Sequence, residues 1–169
     1  METAYYDTLG GALARRWWTL RRRYENGVSV CTLKTPSPDG GRGEWEVNCP
    51  RIGEALTLLC EAGAPAELLG LTAPGLTQVC AARFTRLART LTLPDCTVEL
   101  ALDRGVLMGI ARQQDLCEVE VELKEGSEQD CVAFARALAA EFGLSPEKGS
   151  KYRRALALAE AEKAERKNG

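Results

Sequence analysis

The chain has 169 residues, 45% of them hydrophobic and 27% charged, with a formal net charge of −2. That length suits one ordinary domain with a real core, or at most two small ones, and the near-balance of charge argues against a general nucleic-acid binder. Seven scattered cysteines without a C-x-x-C spacing argue against a disulfide framework or thiolate zinc site, and the lack of histidine removes Ser-His and Cys-His catalysis and imidazole ligation.

In chain order, Thr3 to Tyr6 reads as a strand end, followed by a loop through Gly11 and a short helical turn over Ala12 to Arg16. Trp17 to Tyr24 alternates as a strand with Arg21 and Arg23 on one face. Trp17 and Trp18 read as packing residues under a barrel or against a helix rather than as a base-stacking pair. Asn26-Gly27 is a two-residue hairpin signal, returning through Val28 to Thr35 with Lys34 on the face of Thr32. Residues 36–43 read as a mobile loop, and Glu44 to Val47 alternates again.

Arg51 to Ala62 has helical spacing, and a second short helix fits within residues 63–75. Gln78 to Leu93 reads as a strand bearing Arg83 and Arg86, Pro94-Asp95 as a turn, and Thr97 to Asp103 as a strand showing Glu99 and Asp103. Arg104-Gly105 reads as a turn into Val106 to Arg112. Glu118 to Lys124 alternates strictly, so Glu118, Glu120 and Glu122 project from one face about 6.5–7 Å apart. Ser127 caps a helix ending at Gly143, with Asp130 at the capping-box position. A last helix is expected near Lys148 to Lys163, with a frayed tail over 164–169.

These elements describe an α+β chain, an antiparallel β-barrel of about seven to eight strands with flanking helices, spanning 1–169 as a single domain. No apolar run approaches about 18 residues and no signal peptide leads the chain, so no membrane partner and a cytoplasmic location are expected. Taken singly, each charged strand face reads as solvated surface. Their repetition suggests more. Leu20, Leu33, Trp45, Val47, Leu100, Leu102, Val119, Val121 and Leu123 occupy the opposite faces, where helices would cover them. In a closed barrel the charged faces line an interior that mixes cations with carboxylates. Arginines and lysines bind phosphate oxygens, and clustered carboxylates hold a hard divalent metal such as Mg²⁺ or Mn²⁺. The ligand such an interior suits is a polyphosphate chain.

The ordered motifs resemble the CYTH superfamily of triphosphate tunnel metalloenzymes, which includes inorganic triphosphatases, thiamine-triphosphatase and class IV adenylate cyclases. Tyr5-Tyr6-Asp7-Thr8 resembles the family's Y-Y-D-T, Leu20 to Arg23 its L-R-x-R, Thr32-Leu33-Lys34 its T-L-K, and Glu44-Trp45-Glu46 its E-x-E strand. Arg83 to Arg86, Val98 to Gly105, Glu118 to Lys124 and Ser150-Lys151-Tyr152 are similar to its later motifs. The resemblance implies an eight-stranded tunnel in which Arg21, Arg23, Lys34, Arg83, Arg86 and Lys151 hold phosphates. It implies an acidic set of Glu44, Glu46, Glu99, Asp103, Glu120 and Glu122, with Glu120 and Glu122 the first choices for metal contact. The reaction implied is attack of metal-activated water on a terminal phosphorus. A triphosphate-binding protein without hydrolysis is the alternative, with a cyclase acting on ATP behind it.

One departure qualifies that expectation. The family carries an E-x-E-x-K strand ahead of Y-Y-D-T, whereas this chain starts at Met1, four residues before Tyr5. The barrel is therefore expected to be incomplete at its N-terminus, through a late start or a degenerate member. Its open edges would favour a homodimer.

Overall fold

The computed structural model describes residues 1–36 and 41–168. Asn26 and Gly27 both take positive φ, 50° and 84°, as a tight two-residue hairpin requires. They join β2 (Thr19–Glu25) to β3 (Val28–Pro36), and β1 (Glu2–Asp7) pairs on the other side of β2. A 3₁₀ turn, Ala14–Arg16, separates β1 from β2. The buried Asp7 carboxylate shapes that connection by accepting the backbone N–H groups of Thr8, Leu13 and Ala14.

β4 (Arg42–Asn48) is followed by α1 (Ile52–Glu61) and α2 (Glu67–Thr72), then by the long strands β5 (Thr77–Thr92), β6 (Cys96–Met108) and β7 (Gln113–Gly126). α3 (Glu128–Phe142) and α4 (Lys151–Asn168) close the chain. The strands form one antiparallel seven-stranded sheet in the order β4-β3-β2-β1-β5-β6-β7, curled into a half-barrel. The loop expected over 36–43 falls partly on residues 37–40, which lie outside the described residues. No helix among the described residues is long and apolar enough to cross a membrane.

Burial follows strand parity. Leu20, Cys31 and Leu33 on the convex face pack with Ala55, Leu59 and Leu68 of α1 and α2. Cys96 and Val98 pack with Cys131 and Phe134 of α3. On the concave face, Cys80, Ala82, Phe84, Leu107 and Leu116 pack with Ala155 of α4. Thus α4 lies inside the curl of the sheet. Its far end is held by the buried Glu162 carboxylate, which accepts backbone N–H groups of Ile110, Ala111 and Arg112 at the β6–β7 tip.

Two expectations are corrected. Arg104-Gly105 is not a turn: β6 runs through it, and a Cβ on Gly105 would meet the Arg83 carbonyl oxygen at 2.1 Å. The glycine permits close strand approach, while the turn comes at Gly109 to Arg112. Within α4, Glu165 also forms an ion pair with Arg112 of the β6–β7 tip. Helices also leave part of the convex face bare. Leu102 and Val119, paired across β6–β7, remain exposed beside Leu87.

Candidate functional site

The concave face encloses a cavity of about 1110 Å³ whose lining reaches from β2 and β4 across to β7 and α4. Period two directs Arg21 and Arg23 of β2, Lys34 of β3, Glu44 and Glu46 of β4, Arg86 of β5 and Glu118, Glu120 and Glu122 of β7 into it. Charge is distributed in two walls.

On the first wall, Lys34 Nζ lies 2.8 Å from Glu44, and Thr32 Oγ1 donates to Glu46 at 2.9 Å. Arg21 is longer-ranged, 3.9 Å from Glu44 and 3.7 Å from Glu46. Arg23 makes no salt bridge among the described residues, and the buried Nε atoms of both Arg21 and Arg23 lack a hydrogen-bond partner. Burial, reinforced by the positive charges of Arg21 and Arg86, pulls the Arg23 guanidinium below its usual pKa. The first wall therefore holds more positive charge than it satisfies.

On the second wall, Arg86 donates two parallel hydrogen bonds to Asp103, each 2.7 Å, and also contacts Glu120. Lys151, at the start of α4, places Nζ 2.8 Å from Asp103 and 2.5 Å from Glu120, and touches Glu118. Arg154 reaches Glu118 from the next turn of the helix. Burial would raise the Asp103 and Glu120 carboxyls, but the hydrogen bonds and charges of their cationic neighbours hold both below the usual carboxylate range. Burial would likewise lower Lys151, yet Asp103, Glu118 and Glu120 keep it above an ordinary lysine. Lys151 and Arg86 also lie over the Phe84 ring, 5.1 and 5.8 Å from its centroid.

Asp103, Glu118 and Glu120 each bring one carboxylate oxygen within 4.8 Å of the others. Three hard oxygen donors fit Mg²⁺ or Mn²⁺, provided Lys151 and the arginines yield their contacts. Of the two residues favoured from sequence for metal contact, Glu120 is in this group and Glu122 is not. Glu122 sits opposite Glu99 in the β6–β7 ladder, and Lys124 bridges the pair at 3.1 and 3.7 Å. Arg83 points away from the cavity: it shares the convex face with Glu2, 2.9 Å away, because it differs in parity from Arg86. Glu118 and Arg154 were absent from the sequence-derived set. Their signals were spacing alone, Glu118 two residues before Glu120 and Arg154 three after Lys151.

The tryptophan pair divides. Trp18 is buried, as expected of a packing residue, but Trp17 is 67% exposed at the cavity rim.

Residues 1–156 match the CYTH domain. Over 166 residues the chain is 28% identical to an inorganic triphosphatase of Haemophilus influenzae, covering 94% of this chain and 46% of that relative, so it spans about half the relative's length. The fold is similar to that of a candidate adenylyl cyclase from Hippeastrum described as having a dominant triphosphatase activity (TM-score 0.59, 17% identity, 95% of this chain and 81% of the other). It is also similar to a candidate adenylate cyclase from Bacillus halodurans (TM-score 0.57, 19% identity, 90% and 80%). With that match spanning the half-barrel and the start of α4, the chain belongs to the CYTH domain family.

Proposed function

We propose that the cavity binds the phosphate chain of a triphosphate and that the protein hydrolyses it with Mg²⁺ or Mn²⁺. The observation that carries this reading is a pair of buried donors: the Nε atoms of Arg21 and Arg23 are buried without a hydrogen-bond acceptor, opposite a carboxylate cluster. A buried N–H donor without an acceptor is costly unless an anion completes it, and phosphate oxygens would do so. Lys34, Arg86 and Lys151 supply further positive charge along the same cavity.

Asp103, Glu118 and Glu120 would hold the metal, which when bound neutralises phosphate charge and lowers the pKa of its water. Phosphate oxygens would then accept Lys151 and Arg86 in place of the carboxylates. The neighbouring triphosphatase, related over nearly the whole chain, supports the choice of ligand. The homodimer expected from open strand edges belongs to the same reading, with β4 and β7 as the edges of the described sheet.

The test is phosphate release from inorganic triphosphate with added Mg²⁺ or Mn²⁺ and with chelator, together with calorimetric binding of triphosphate to wild type and Arg23→Gln. Metal-dependent release, and binding weakened about tenfold or more in the variant, are expected, since a hydrogen bond to a charged group contributes about 1.5–3 kcal/mol. Tight binding without release would leave a polyanion-binding member of the family. Failure to bind triphosphate would refute the proposal.

A further inference from the structure

Three apolar side chains stand next to one another in solvent on the convex face. Leu87 of β5 pairs with Leu102 of β6, which pairs with Val119 of β7, and the three are 68%, 44% and 36% exposed. Strand alternation directs them outward, away from Arg86, Asp103 and Glu120. A single exposed leucine needs no explanation, whereas a contiguous apolar patch rimmed by polar groups marks an interaction site.

The same three strands show what such a row packs against. Four residues along, Leu91, Val98 and Leu123 form an equivalent row, and α3 covers it through Cys131 and Phe134. The two rows are about 13 Å apart, and packed helices lie about 8–10 Å apart, so a second helix fits beside α3. A row of three strands is about 10 Å across, the width of one helix.

Charge sets the chemistry of that helix. Arg104 lies two residues beyond Leu102 on β6, and Arg89 lies two residues beyond Leu87 on β5, so a cation borders the row on each side. Both are exposed, and among the described residues neither forms a salt bridge. The carboxylates of this face lie further off. Glu2 is taken by Arg83, and Asp115 sits opposite Val106, four residues from Leu102. A second copy docked through this row would therefore bring more unpaired arginines and no adjacent carboxylate to meet them.

We propose that the row Leu87–Leu102–Val119 is a docking surface for an amphipathic helix of a partner protein, apolar along the stripe that meets the row and acidic on its flanks. The apolar stripe covers the row next to α3, and carboxylates on the two flanks meet Arg89 and Arg104. The surface lies across the sheet from the phosphate cavity and stands independently of it.

The experiment uses the full chain and two synthetic helical peptides of about 14 residues, four turns each. Both carry leucines at helical spacing, flanked by glutamates in one and by lysines in the other. Fluorescence anisotropy of the labelled peptides gives the affinities, and circular dichroism checks the fold of each variant. The glutamate peptide is expected to bind at least about tenfold more tightly than the lysine peptide, and Leu102→Glu to weaken it about tenfold or more. Arg89→Glu combined with Arg104→Glu should reverse the preference in favour of the lysine peptide. The bound glutamate peptide should also slow labelling of Cys117, which is exposed and opposite Arg104 in the β6–β7 ladder. Absence of binding by the glutamate peptide, or equal affinity for the two peptides, would overturn the proposal. So would a wild-type dimer in sedimentation that Leu102→Glu dissociates, because a second copy would then occupy the row.

Discussion

Asp103→Asn tests whether the second wall is a structural ion network as well as a candidate site. Asp103 is fully buried and accepts three hydrogen bonds, two from Arg86 at 2.7 Å and one from Lys151 at 2.8 Å. Asparagine retains the shape but loses the charge and one acceptor. Breaking a buried ion pair by removing one partner costs about 3–5 kcal/mol. Here Glu120 still contacts both cations and Glu118 still contacts Lys151, so the lower end applies, about 3 kcal/mol. For a chain of this size each kcal/mol lowers Tm by about 2–4 °C, giving a fall of about 6–12 °C. Circular dichroism melts at pH 7 provide the measurement. Lys151→Met in the Asp103→Asn background should cost less than it does in wild type, because the two changes disrupt one network. A Tm within about 2 °C of wild type, or strictly additive losses, would refute the view that this wall holds together through charge.

Gly105→Ala places a methyl group against the Arg83 carbonyl oxygen and Phe84 Cα, both backbone atoms that must shift, so a loss of about 1–3 kcal/mol is expected in a denaturant titration. For Glu162, burial raises the carboxyl but the backbone N–H groups of Ala111, Arg112 and Ile110 pull it below the usual glutamate range. Its stabilising contribution is therefore complete above the ordinary glutamate pKa of about 4.3 and is lost as pH falls through the lower folded value. The Tm gap between wild type and Glu162→Gln should stay constant above that pH and narrow below it; a gap that widens in acid would be the wrong sign. Thiol labelling in the folded state should give a fast-reacting site at exposed Cys117, removed by Cys117→Ser, while burial pushes Cys31 up to about 11 and Cys80 up to about 12 and keeps both unreactive.

Much of the site was legible because strand alternation is a local property. Arg21 with Arg23, and Glu118 with Glu120 and Glu122, share a face whatever the sheet does around them. Depth along the cavity is not local. Asp103 pairs with Glu118 and Ala101 with Glu120 in the β6–β7 register, whereas Glu122 falls opposite Glu99 nearer solvent, so the tight carboxylate group is Asp103, Glu118 and Glu120. Arg83 lies on the face opposite Arg86 because a three-residue interval reverses strand parity. Gly105 shows another ambiguity: beside Arg104 it carries the composition of a turn, and only the strand facing it reveals that the missing side chain makes room for β5. Nor could the sequence show that α4 would dock inside the curl and bring Lys151 to the carboxylates, since that depends on which sheet face stays unfilled.

The Glu162 contact makes α4 a lever with both ends loaded. From Lys151 to Glu162 the helix spans about 16 Å, one end embedded among carboxylates and the other clasped by the amides of residues 110–112. A stiff rod held this way cannot release one end freely while the other stays seated. Opening of the β6–β7 tip and departure of Lys151 from its carboxylates are therefore linked, and the tip amides should exchange with solvent as part of the same cooperative unit as the first turn of α4.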